Sequence, residues 1–193
     1  MLINLDIDDP HSIYVGCAGG ESSHLRLPIR CVRPDPSGSA AFEVVLKGLL
    51  GGHSGVDINL ERGNAIKLLG FLLWEAGEKI PFSLASIRGG DKHNAIPREA
   101  EARIVVPRER AEKFLTLVEA GGRALQEEYE KVDPGLTIEI KPLEVPERAA
   151  SPEDSKRAIC LIRALPNGII RWSPEIPDLV ETSTNLSVVF TEE

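Results

Sequence analysis

The chain has 193 residues, 42 % of them hydrophobic, and a formal net charge of −8 at pH 7. That apolar share suits one large domain or two small ones with a real core. The acidic balance argues against a nucleic-acid partner, and no run reaches the roughly 18 apolar residues that a membrane span needs.

The chain opens MLINLDIDDPHSIYVG, with no basic stretch and with Asp6, Asp8 and Asp9 early. It does not read as a signal peptide. Residues 2–6 (LINLD) read as a short apolar strand ending in an acid, and residues 12–16 (SIYVG) as another. Residues 28–39 carry Pro28, Pro34 and Pro36 and form a connection. Residues 42–50 (FEVVLKGLL) are β-branched and apolar enough for a strand. A Gly-His-Gly loop follows, then a helix over about 62–76 with Ile66, Leu69, Leu72 and Leu73 at helical spacing.

Residues 82–87 read as a strand, 88–94 (RGGDKHN) as a turn, and 99–106 as the antiparallel partner. Pro107 leads into a long helix over about 108–131, with Phe114, Leu117, Leu125 and Tyr129 along one side. Asp133-Pro134-Gly135 stops it. Residues 136–141 (LTIEIK) alternate with period two. The order β-α-β-β-α-β predicts an α+β fold, a ferredoxin-like sandwich of one antiparallel sheet with helices on one face. A further α/β segment follows: a helix from Ser151-Pro152-Glu153-Asp154 to Leu165, a turn at Asn167-Gly168, and a strand over 186–190. That strand is expected to lack a hairpin partner. Cys17, Cys31 and Cys160 are odd in number and far apart. They fit buried thiols in a reducing cytoplasm better than a disulfide framework or a zinc knuckle.

Three polar stretches could carry chemistry. The first is 48-GLLGGHSG-55. A serine-nucleophile elbow fails because Val56 replaces its second glycine. A phosphate loop fails because the lysine and hydroxyl residue are missing. His53 and Asp57 are too few to hold a metal. The plain alternative is a turn histidine bonded to backbone. The second stretch is 89-GGDKHNAIPRE-99, where Asn94 offers an amide from a loop between strands. The third is 180-VETSTN-185, dense in hydrogen-bonding side chains before the last strand, where simple capping is the alternative.

Taken in order, LINLD, GCAGG (16–20), KGLLGGHSGVDI (47–58), RGGDKHNAIPREA (88–100), LPNGIIR (165–171) and VETSTN (180–185) resemble the aminoacyl-histidine dipeptidase family. This is the Xaa-His group of the zinc-dependent M20 peptidases. The resemblance implies a cytoplasmic hydrolase of Xaa-His dipeptides, a homodimer, whose catalytic domain holds two zinc ions. It places residues 1–19 at the end of a catalytic segment and residues 20–193 in the lid, or dimerisation, domain. Asp6 matches a metal ligand, and His53 matches the lid histidine that stabilises the oxyanion. Asn94 matches a substrate-contacting amide, and Glu181, Thr182, Ser183 and Asn185 fall in the same cleft. The family's remaining metal ligands and its general base match nothing in this chain. The chain alone is therefore expected to bind no zinc and to be inactive. The competing expectation is a stand-alone ferredoxin-like interaction module with a structural His53.

Overall fold

The structure is a computed structural model that describes residue 11 and residues 18–192. The strands expected at 2–6 and 12–16, and with them Asp6 and Cys17, lie outside the described residues. In chain order the elements are β1 (Cys31–Val32), β2 (Ser39–Lys47), β3 (Gly52–His53), α1 (Ala65–Gly77), β4 (Ser83–Gly89), β5 (Ala95–Ile96) and β6 (Ala100–Pro107). Then come α2 (Ala111–Tyr129), β7 (Thr137–Leu143), β8 (Ala149–Ala150), α3 (Pro152–Ala164), β9 (Gly168–Trp172), β10 (Val180–Thr184) and β11 (Val189–Phe190).

β2, α1, β4, β6, α2 and β7 form the expected ferredoxin-like unit. The main sheet runs β11-β4-β6-β2-β7, every neighbouring pair antiparallel. Helices cover one face. Ile66, Leu69, Leu72 and Leu73 of α1 are buried, and they share one core with Val44 and Leu46 of β2 and Ile104 of β6. Phe114, Val118 and Leu125 of α2 complete it, with the Phe114 ring edge-on to Phe82 at 5.7 Å. Two helix starts differ from the expected ones. α1 begins at Ala65 because Asn64 caps it, its side chain accepting from the Ile66 and Lys67 N–H groups. Asparagine favours that position over a helix interior. α2 is preceded by a tighter turn at Arg108–Arg110.

The third helix is fixed at both ends. Ser151 caps it by accepting from the Asp154 N–H. Buried Asp154 accepts the Arg30 N–H at 2.8 Å and Arg157 at 2.6 Å. The Arg30 N–H bond foremost, then the Arg157 bond, hold its carboxyl below the usual carboxylate range. At the other end Lys67 donates to the carbonyls of Ile162, Arg163 and Leu165 at 2.6–2.7 Å. Burial, then the Arg163 charge, push the Lys67 ammonium pKa down.

The last strand corrects one expectation. Its paired part is Val189–Phe190, which lies antiparallel against Gly89 and Arg88, so it has a partner. That pairing continues a covered edge. The Leu84 N–H donates to Ser155 Oγ at 2.8 Å, and the Ile87 N–H to Thr191 Oγ1 at 2.9 Å. Residues 180–184 also differ from the capping alternative, since they form β10, hydrogen-bonded to β9 as a separate hairpin.

Candidate functional site

The two glycine-rich loops singled out in the sequence meet. β3 and β5 form a short ladder that sets Gly52 opposite Ile96 and His53 opposite Ala95. The Ser54 N–H extends it, donating to the Asn94 carbonyl at 2.9 Å. His53 and Asn94 are thus backbone neighbours, and both are exposed.

The His53 turn is closed from inside. Its own N–H donates to Asp57 Oδ2 at 2.8 Å, and its carbonyl accepts the Asp57 N–H at 2.8 Å. The Gly55 N–H donates to His53 Nδ1 at 3.1 Å. An Nδ1 that accepts leaves the neutral ring's proton on Nε2. No described residue bonds Nε2. The imidazole therefore presents one N–H donor to the outside. Asp57, which spacing alone paired with His53 as a weak chelator, instead holds its backbone.

Conformation and space explain the glycines before His53. Gly51 has φ +63°, and a side chain there would run into Arg98 and the Ile96 carbonyl. Gly48 has φ +86°, and a Cβ would strike the Gly135 carbonyl oxygen. The left-handed region that both occupy favours glycine. Arg62 steadies the stretch by donating to the Gly51 carbonyl at 2.5 Å.

Asn64, a residue the sequence reading left out, is the hub behind the loops. It is 3 % exposed. Besides capping α1, its Nδ2 lies 2.8 Å from Asn167 Oδ1, 3.2 Å from Asn185 Oδ1 and 2.9 Å from the Leu186 carbonyl. Asn185 passes the link on, donating to the Ala95 carbonyl at 2.7 Å. Its amide thus ties β5 to the start of α1. The Ala65 N–H adds a bond to the Pro97 carbonyl at 3.0 Å. An asparagine directly before an apolar periodic run is a helix-start signal, and it was the available clue.

The other predicted residues sit apart from this knot. Glu181, Thr182 and Ser183 lie on β10, exposed, with Glu181 bound to Arg171 at 2.8 Å. No hydrogen bond joins them to His53. Among the described residues no group of three or more His, Cys, Asp or Glu side chains could hold a metal ion. The described part of the chain does not fit a zinc centre. An open pocket of about 700 Å³ borders β3 and β5. Its lining mixes Arg88, Lys92 and Arg98 with Asp91, Glu99 and Glu101, so it favours neither sign of charge.

Comparison with known proteins gives this arrangement its context. Residues 44–133 match a family described as a peptidase dimerisation domain. Over 191 residues, 98 % of its length, the chain is 37 % identical to the cytosol non-specific dipeptidase of Escherichia coli. It spans 39 % of that relative. Among solved structures it resembles an aminoacylhistidine dipeptidase from Vibrio alginolyticus, with a TM-score of 0.79 and 36 % identity. That match covers 84 % of this chain and 34 % of the Vibrio chain.

Proposed function

We propose that the chain, whose residues 44–133 match a peptidase dimerisation domain, serves as the lid and dimerisation part of a metal-dependent dipeptidase. The observation that carries the reading is the free Nε2–H of His53, set by the Gly55 bond to Nδ1. A preplaced donor outside the turn is suited to the negative charge that develops on a peptide carbonyl oxygen under attack. Asn94, beside it on the paired loop, offers an exposed amide to the same substrate. Glu181, Thr182 and Ser183 contribute from the hairpin, and Asn185 holds the β5 backbone in place.

The substrate class is a dipeptide, with Xaa-His the first to test given the likeness to the Vibrio protein. The assembly is a homodimer and the compartment the cytoplasm. Zinc in such an enzyme draws its ligands from outside the described residues, with Asp6 one of them. Residues 1–19 close a catalytic segment, and residues 20–193 make the lid.

The test is His53→Ala in the intact enzyme. A fall in turnover of roughly 100–1000-fold with unchanged metal content supports the oxyanion role. Unchanged turnover refutes it and leaves His53 a turn residue. The pure 193-residue chain is expected to show no metal-dependent hydrolysis of Xaa-His dipeptides, and measurable activity would overturn that part.

A further inference from the structure

We propose that Asp133 is the positioning residue of the His53 segment, one buried carboxylate that grips both ends of the span presenting the imidazole. The proposal rests on the reading that His53 acts on substrate. Asp133 follows α2 and is 1 % exposed. Its Oδ1 accepts the Leu50 N–H at 2.7 Å, and its Oδ2 accepts the Gly63 N–H at 2.6 Å. Leu50 and Gly63 bracket the whole loop, from the glycines before His53 to the cap of α1.

The chemistry of the grip requires a carboxylate. Two backbone N–H groups point at one side chain, so both of its terminal atoms must accept. An ionised aspartate offers two acceptor oxygens, whereas asparagine offers one acceptor and one donor. A buried carboxylate without a cation is costly unless hydrogen bonds satisfy it, and this one has bonds from two ends of the same loop.

The grip is anchored to the fold rather than to the loop. The Asp133 N–H donates to the Tyr129 carbonyl at 2.8 Å, at the end of α2, and its carbonyl accepts the Leu136 N–H at 3.0 Å. Gly48 and Gly135 meet backbone to backbone beside it. From Asp133 the restraint runs along a short path: Leu50, then Gly51 held by Arg62, then His53 held by Asp57. A shift of the span by a fraction of an ångström moves Nε2 by a similar amount. An oxyanion donor misplaced by about 1 Å loses roughly 100-fold in rate.

The experiment reads Asp133→Asn and Asp133→Glu by nitrogen-resolved NMR on the 193-residue chain and by kinetics in the intact enzyme. In Asp133→Asn, amide exchange at Leu50 and Gly63 is expected to rise at least about tenfold relative to α1 amides. The His53 ring signals leave the single Nε2–H pattern at the same time. In the enzyme kcat falls roughly 10–100-fold while KM holds, because the lost interaction belongs to the transition state. Asp133→Glu keeps two acceptors and is expected to retain most of the wild-type pattern; it also serves as the readout if the asparagine variant does not fold. In either variant, Leu50 and Gly63 amides that change while His53 signals and kcat stay put overturn the proposal. If His53→Ala leaves turnover intact while Asp133 variants still move the His53 signals, the catalytic reading fails and the positioning holds.

Discussion

The Gly55 N–H points at Nδ1 of His53, and this bond decides which nitrogen faces outward. Gly55 also leaves the ring little room. A Cβ there would lie 3.2 Å from His53 Cε1 and 3.3 Å from Nδ1. Gly55→Ala is therefore expected to tilt the imidazole, lowering kcat of the intact enzyme several-fold, on the order of 1 kcal/mol in the barrier. Thermal unfolding should barely move, because Gly55 is exposed. Steady-state kinetics beside a melting curve checks both halves.

Gly48 should tolerate no side chain. Its left-handed backbone and the Gly135 carbonyl leave no space. Gly48→Ala is expected to destabilise the chain by more than about 3 kcal/mol, combining backbone strain with a clash that nothing flexible can relieve. Denaturant unfolding measures it; a loss under about 1 kcal/mol would mean that the two loops do not touch in solution.

Asn64 separates capping from cross-linking. Asn64→Ala removes the cap from a buried helix start and the donor to Asn167, Asn185 and the Leu186 carbonyl, for a loss of about 2–4 kcal/mol. Asn64→Asp keeps an accepting oxygen for Ile66 and Lys67 but has no Nδ2 to offer Asn167, Asn185 and Leu186. It should therefore retain α1 helicity while loosening β5. Hydrogen exchange at Ala95 and Leu186, set against α1 amides, distinguishes the two.

Acid sensitivity should trace to Asp154. The Arg30 N–H and Arg157 hold its folded carboxyl below the unfolded value, which is about 3.9. Between those two values the unfolded chain binds more protons, so stability rises with pH there. The contribution is complete above about pH 5 and is lost as pH falls through the folded value. Asp154→Asn should flatten the acid limb of stability against pH. An unchanged acid limb would place the sensitivity elsewhere.

The ferredoxin-like order was legible because its strands alternate with two helices whose apolar residues recur at helical spacing, Ile66 to Leu73 and Phe114 to Tyr129. Helix starts were less so. The Asn64 cap moves the start of α1 to Ala65, three residues past the expected position, and propensity cannot show that the Gly63 N–H is already taken by Asp133. His53 and Asn94 were singled out as residues, but their meeting depends on a two-residue ladder too short to leave a periodic signal. The roles of Asn64, Asn167 and Asp133 are long-range, joining positions some 70 to 120 apart in sequence. The partner of Val189–Phe190 was missed for the same reason: β4 lies a hundred residues upstream.

The outer edge of β4 is closed along its length by unlike devices: a serine hydroxyl from α3 at Leu84, Thr191 at Ile87, and a strand pair at Arg88 and Gly89. Among the described residues β7 is then one outer margin of the main sheet, and the two-residue β11 is the other. Unpaired margins are where one chain recruits another into a growing ribbon. Here the β7 margin carries Glu139 bound to Lys47 and Lys141, and then Pro142, which has no N–H to donate. Charge and proline together limit unwanted strand addition. A chain that adds a strand beside β7 is confined to residues 137–141, ahead of Pro142.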